Sequence, residues 1–327
     1  MKFSKDALNI DPHKETECIS NFITKTILIN MHKKGAVIGL SGGIDSALSA
    51  ALCVRALGPE KVLGVILPEK DSSRLSEEYA LTLADRLAIH TEKIDITPLL
   101  EEFGVYKKRD QVVGKIFPNF NPATWRYKVV LPHDLLEKDR LNIFSLIVQL
   151  PDGSEKKKRL SMQDYLQVVA CTNVKQRTRM VHLYYFAEKN NYAVMGTTNR
   201  TEFHQGFFVK YGDGGVDIEP LAHLYKLQVY MLAEHLDIPK EILERPPSPD
   251  TYSAEVSDTE FYFSVPFDIL DPFLWADENN IPPAKICEVL SLTNEQYERL
   301  KKNIDRKAKA TWHYLQNPPN LNLEKGC

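Results

Sequence analysis

Along residues 14–32 the apolar positions Cys18, Ile19, Phe22, Ile23, Ile27 and Met31 fall three and four apart, the one-sided stripe of an amphipathic helix. After Gly35 that period gives way to a continuous apolar run, Ala36-Val37-Ile38-Gly39-Leu40, the pattern of a strand covered on both faces. It leads directly into Ser41-Gly42-Gly43-Ile44-Asp45-Ser46 and an Ala/Leu-rich helix over 46–57. The theme then repeats as a buried strand over 61–67, a helix over 73–87 and a strand over 91–96. This βαβαβ alternation predicts an α/β fold built on a doubly wound parallel sheet.

The alternation breaks at Gly104 and resumes near Asp164, which reads as a 104–164 insertion within one domain spanning 1–327. Inside it, 141–150 is strongly β-prone, Pro151-Asp152-Gly153-Ser154 forms a turn and 156–160 returns as a charged strand, so a β-hairpin is expected. Helical signal follows over 168–190, then a strand over 192–196, a loop over 197–215 and a helix over 224–235. Arg245-Pro246-Pro247-Ser248-Pro249 cannot be regular structure, because proline offers no amide and restricts the residue before it. The tail after Pro318 is expected to fray.

Composition narrows the classes. With 41 Lys+Arg against 44 Asp+Glu and a net charge of −3, the chain is not a basic nucleic-acid binder. No apolar run approaches the roughly 20 residues that cross a bilayer. Five scattered cysteines without a C-x-x-C pair indicate neither a disulfide framework nor a zinc site. A cytoplasmic protein acting on small molecules, with no membrane partner, is expected.

The chemistry begins at Ser41–Ser46. A glycine pair between a buried strand and a helix start lets backbone amides approach an anion, and the helix dipole favours phosphate there. The lysine of a G-x-x-x-x-G-K-[ST] loop is missing, and no G-x-G-x-x-G occurs, which speaks against P-loop hydrolases and dinucleotide-binding oxidoreductases. Asp45 in a phosphate cradle would be repelled by its ligand unless a divalent cation lay between them.

The hexapeptide resembles the pyrophosphate-binding loop of the N-type ATP pyrophosphatases, which adenylate a carboxylate or carbonyl oxygen and release pyrophosphate. Within that superfamily, Asn173-Val174-Lys175-Gln176-Arg177-Thr178-Arg179-Met180, the stretch from Gly196 to Asp217, and Pro220 to Leu232 resemble the ammonia-dependent NAD+ synthetase family. The resemblance implies an adenine nucleotide alpha hydrolase-like, Rossmann-like fold and amidation of deamido-NAD to NAD+ through an adenylated carboxylate. It implies ATP binding by Gly39, Ser41, Gly42, Gly43, Asp45, Ser46, Thr197, Lys226 and Ser248, with Mg2+ on Asp45 and Glu202. Lys226 would be the catalytic cation on the phosphates, and Asp217 would help take the proton of ammonia. Asn173, Arg177, Phe207, Phe208, Lys210 and Asp213 would hold deamido-NAD. Arg177 and Arg179 are two apart on a helix and face different ways, so one of them is expected to reach the substrate.

The resemblance implies a homodimer with the substrate site near the interface, and helices 14–32 and 168–190 are the expected seams. No block for releasing ammonia from glutamine is visible, so free ammonia or a separate glutaminase subunit is the expected donor. Where the family carries T-D-E-x-E-[LM]-G, this chain has Ser257-Asp258-Thr259-Glu260-Phe261-Tyr262-Phe263, and only Asp305-Arg306-Lys307 resembles the C-terminal basic cluster. These departures lie on the acceptor side. They leave open an ammonia-dependent, amide-forming ATP pyrophosphatase acting on a different carboxylate, and a catalytically inactive nucleotide-binding protein.

Overall fold

A computed structural model describes residues 3–4, 6–132, 135–138 and 143–319. The frayed tail expected after Pro318 lies, beyond Pro319, outside these residues, as do Leu141 and Asn142 of the β-prone run. Helix α1 (Pro12–Thr24) starts where Asp11 accepts hydrogen bonds from the amides of His13 and Lys14, with Pro12 at its first position. A π-helical turn, Lys25–Asn30, carries it onward, so the predicted 14–32 helix changes geometry in its last third.

The parallel core follows in order: β1 (Ala36–Gly39), α2 (Ile44–Leu57), β2 (Val62–Ile66), α3 (Arg74–Leu87) and β3 (His90–Lys93). The third strand is two residues shorter than the pattern predicts, since Asp95 already accepts from the amide of Thr97 to turn the chain into the next helix. Then come α4 (Thr97–Glu102), α5 (Val105–Ile116), β4 (Arg126–Val130), β5 (Ser145–Gln149), β6 (Glu155–Arg159), α6 (Met162–Asn190) and β7 (Ala193–Met195). The C-terminal half is helical: α7 (Arg200–Gln205), α8 (Lys226–His235), α9 (Lys240–Leu243), α10 (Phe267–Glu278), α11 (Pro283–Leu290) and α12 (Asn294–Thr311).

The sheet runs β3-β2-β1-β7, all parallel, in register from Ala36 opposite Val62 and Ala193. Because successive strand residues point to opposite faces, Ala36 and Ile38 join the core formed with α1, α2 and α8, while Val37 joins the one formed with α4, α5 and α6. That division is the physical meaning of the unbroken apolar run: both faces are covered, as the doubly wound reading requires.

Residues 104–164 carry more than the expected hairpin. The hairpin is present as β5 paired antiparallel with β6, and β4 adds a third strand on its other side. Helix α5 precedes this sheet and was not visible in the apolar pattern. Val112 and Val113 of α5, Tyr127, Val129, Leu146 and Val148 form a separate core that also takes in Val168 and Tyr252. The edge strand β6, Glu-Lys-Lys-Lys-Arg, is exposed throughout, and its row of cations discourages pairing with another chain.

Candidate active site

The glycine loop lies at the C-terminal end of β1, between strands, where open α/β sheets bind ligands. Two serines knit it together: Ser41 Oγ and Ser46 Oγ are 3.0 Å apart, and Ser46 Oγ donates to the Gly43 carbonyl at 3.0 Å. Gly42 has φ +72°, and a side chain there would press into the Ser76 carbonyl at 2.3 Å, so only glycine fits. Gly43 caps α2 without a side-chain partner, leaving the first amides of that helix available to an anion.

Three segments then place charge against this loop. Lys226 opens α8 and is 1% exposed; its backbone amide donates to Thr201 Oγ1, which donates to Asp271 at 2.6 Å. From that fixed base its ammonium forms a short ion pair with Asp45 and lies 3.9 Å from Glu202. Glu202 is the third residue of α7 in a capping box with Asn199, and the Asn199 amide group reaches across to Asp45 Oδ1 at 2.9 Å. Asp258, 5% exposed, completes the set, and its Oδ1 is buried with no hydrogen-bond partner.

The electrostatics follow from this crowding. Burial raises the Glu202 carboxyl well above its usual range, with Asp45 and Asp258 adding to the effect and Lys226 opposing it. Burial likewise pushes Asp258 up to about 7 against the pull of Lys226. Burial disfavours the Lys226 charge, yet the surrounding carboxylates more than offset this and hold its proton more tightly than usual. Three carboxylates around one ammonium leave the spot short of positive charge.

These groups open into a cavity of about 690 Å³. Arg245-Pro246-Pro247-Ser248-Pro249 crosses one side of it: Arg245 donates to Ser76 Oγ at 2.9 Å, and Asp250 accepts from Ser76 Oγ at 2.8 Å. At the other side Phe207 stacks on Tyr262 with centroids 4.8 Å apart, Phe208 meets Tyr314 edge-on at 5.9 Å, and Leu131 and Phe144 close the wall.

The sequence-predicted residues divide in two. Gly39, Ser41, Gly43, Asp45, Ser46, Thr197, Ser248, Glu202, Asn173, Phe207, Phe208 and Asp213 all line this cavity. Gly42 belongs to its loop, and Lys226 stands directly behind Asp45. Arg177, Lys210 and Asp217 do not line it. Arg177 is exposed and donates to the Lys210 carbonyl at 3.2 Å; Lys210 Nζ donates to the carbonyls of His313 and Gln316; Asp217 accepts from Tyr184 and the Val194 amide. About 200° of helical rotation separates residues two apart, so Arg179 takes the cavity side of α6 that Arg177 cannot.

Sequence reasoning passed over several groups. Asn199 carried a findable signal, the N-x-x-E spacing of a capping box. Buried Lys175 carried none: its ammonium is 2.8 Å from both Glu69 and Asp71 and 2.9 Å from the Thr251 carbonyl. Arg109 binds the same Asp71 at 2.5 Å, and Tyr106 donates to Glu69 at 2.7 Å.

A parallel α/β sheet with an anion-ready glycine loop, an acidic group inside that loop and a lysine at its back defines a nucleotide-dependent ligase of the ATP pyrophosphatase type. Comparison with known proteins narrows the class, for the NAD synthase family model matches residues 15–124 and 135–313. An NH3-dependent NAD+ synthetase of Mesorhizobium japonicum is 42% identical, covering 98% of this chain and 99% of that protein. One of Rhizobium meliloti is 44% identical over 98% of this chain and 94% of its own length. Among solved structures, an NMN synthetase from Francisella tularensis superposes with a TM-score of 0.67 at 25% identity, over 96% of this chain and all of that one. The chain belongs to the NAD synthase family, ligases that amidate deamido-NAD at the expense of ATP.

Proposed function

We propose that this chain converts deamido-NAD to NAD+ with ammonia, using the cavity as a shared site for ATP and the acceptor. The carrying observation is the joining of two kinds of surface in one cavity: the glycine loop with Asp45, Glu202 and Lys226 at one end, and the aromatic wall of Phe207, Phe208 and Tyr262 at the other. A carboxylate oxygen of the acceptor attacks the α-phosphorus of ATP and pyrophosphate leaves. Ammonia then attacks the acyl carbon, the bond to AMP breaks and one proton is lost. The amides at the start of α2 receive the phosphates, Lys226 holds Asp45 in place, and the aromatic wall positions the pyridine ring. Gly39, Ser41, Gly42, Gly43, Ser46, Thr197 and Ser248 would surround the ATP, and Asn173 and Asp213 the acceptor.

The residues fit Mg2+. Asp45 and Glu202 offer hard oxygen donors, the buried Asp258 oxygen beside them lacks a partner, and among the described residues no three such side chains form a complete metal site. A metal held by two carboxylates and finished by phosphate and water oxygens is the usual magnesium arrangement. When bound it would neutralise charge on the departing pyrophosphate.

Arg177, Lys210 and Asp217 suit a homodimer in which the acceptor site is completed near a seam along α1 and α6. Val181 and Tyr185 on α6, with Phe22 and Ile29 at the α1 side, are large apolar residues more than 45% exposed. The chain is read as one domain, with 104–164 an elaboration whose Leu131 and Phe144 wall the acceptor side. No described helix is long and apolar enough to cross a membrane, and a cytoplasmic location accords with that.

One assay tests the function: protein, ATP, Mg2+, ammonium and deamido-NAD, following AMP and NAD+, with the corresponding mononucleotide as a competing acceptor and glutamine as an alternative donor. AMP and NAD+ formed together with ammonium support the proposal. Pyrophosphate exchange indifferent to deamido-NAD moves the acceptor to a different carboxylate, and no ATP turnover at all leaves a nucleotide-binding protein.

A further inference from the structure

Three lysines are buried among the described residues, and they are not alike. Lys175 and Lys226, each 1% exposed, end on carboxylates. Lys307, 9% exposed on α12, has no carboxylate within ion-pair distance among the described residues. Its ammonium donates to the Tyr262 carbonyl at 2.6 Å and stands 4.6 Å from the centre of the Tyr262 ring. An ammonium has three donors, so this contact leaves two without an acceptor.

A desolvated cation without an anion is costly, and a neutral Met or Gln would fill the position at less expense. Burial alone drives the Lys307 pKa down to about 7, so the group sits ready to accept a proton together with an anion. Its surroundings say where that anion would lie. Lys307 and Thr311 of α12, with Tyr314 just after it, line the main cavity beside Phe207, Phe208 and Tyr262, and the neighbouring Arg306 lines it as well. Arg245, by contrast, is spent on Ser76 beside the glycine loop, and Lys226 on Asp45.

We propose that Lys307 binds an oxyanion of the acceptor, either its carboxylate or its diphosphate, at the aromatic end of the cavity. This rests on the acceptor assignment above and adds a specificity-determining residue to it. A charge-assisted hydrogen bond is worth about tenfold to a hundredfold in affinity.

The test uses the full-length protein with Lys307→Met and Lys307→Arg, measuring KM for deamido-NAD and for ATP, inhibition by NAD+, and thermal unfolding. Expected for Lys307→Met is a KM for deamido-NAD raised by about tenfold or more, an ATP KM within about twofold of wild type, and an undiminished melting temperature, with partial rescue by Lys307→Arg. NAD+ keeps the diphosphate and lacks the carboxylate. Weakened deamido-NAD with unchanged NAD+ inhibition assigns the carboxylate, and equal weakening of both assigns the diphosphate. An unmoved KM for deamido-NAD, or ATP and acceptor weakening together, overturns the proposal while wild-type activity preserves the functional assignment. Wild-type protein that makes no NAD+ fails both.

Discussion

Replacing Lys175 by Met should destabilise the protein through charges left behind. The amine holds two carboxylates, Glu69 and Asp71, both within 6% of full burial at the side chain, and it also anchors the Thr251 carbonyl. Removing one partner of a buried ion pair costs about 3–5 kcal/mol. The lower end applies, because Asp71 keeps Arg109 at 2.5 Å and Glu69 keeps the Tyr106 hydroxyl at 2.7 Å and the Asp71 amide at 3.0 Å. At about 2.1 cal/mol/K per residue, a chain of 327 residues has an unfolding entropy near 0.7 kcal/mol/K, so a loss of about 3 kcal/mol lowers Tm by about 4 °C.

Urea unfolding measures this loss, with Glu69→Gln and the double variant closing a cycle. A Lys175→Met protein within about 0.5 kcal/mol of wild type, or strict additivity with Glu69→Gln, would refute the reasoning.

Asp45→Asn and Glu202→Gln should each lower turnover by about 100-fold or more, since a metal bridge is worth several kcal/mol; near-normal rates with Mg2+-ATP would remove them as ligands. Glu219, packed against Gly196 with one carboxylate oxygen buried and unbonded, is pushed up by burial from the ordinary 4.5 to about 8. Its contribution to stability is present below about pH 4.5 and lost as pH climbs through 8, so Glu219→Gln should be the more stable protein at pH 8.5 by up to about 5 kcal/mol and lose that advantage near pH 4.5. Parallel melting curves for the two proteins across that range would contradict it. Tyr185→Asp should shift sedimentation from dimer to monomer; an unchanged profile would clear α6 as a seam.

The fold was legible wherever local pattern and tertiary environment agree. The run from Ala36 to Leu40 is apolar at every position because helices cover both faces of β1, and the glycine loop sits where its composition puts it. Helix α5 was not legible: its Val105-Tyr106-Lys107-Lys108-Arg109-Asp110 start is mostly charged, and its buried side includes Arg109, a residue that pattern reading assigns to solvent. The site was legible as a set of segments but not as a set of side chains. All of the quoted motifs reach one neighbourhood, yet Arg179 rather than Arg177 enters the cavity, because motif spelling does not record which side of α6 faces in.

The same blindness explains why the three buried lysines, all within stretches quoted for resemblance, carry no mark of burial or partner in the sequence, and what they have in common is position. Lys175 ties the loop after β2 to α6 and to the segment at Thr251; Lys226 ties α8 to the glycine loop; Lys307 ties α12 to the turn carrying Asp258 and Tyr262. Each stands where separate elements converge on the cavity. An apolar residue could pack such a junction, but it could not fix the direction of a carboxylate or carbonyl beside a phosphate. Two of the three have their anion in the protein. The third is supplied with its anion only when an acidic ligand arrives, which makes acceptor binding and the setting of the Tyr262 turn a single event.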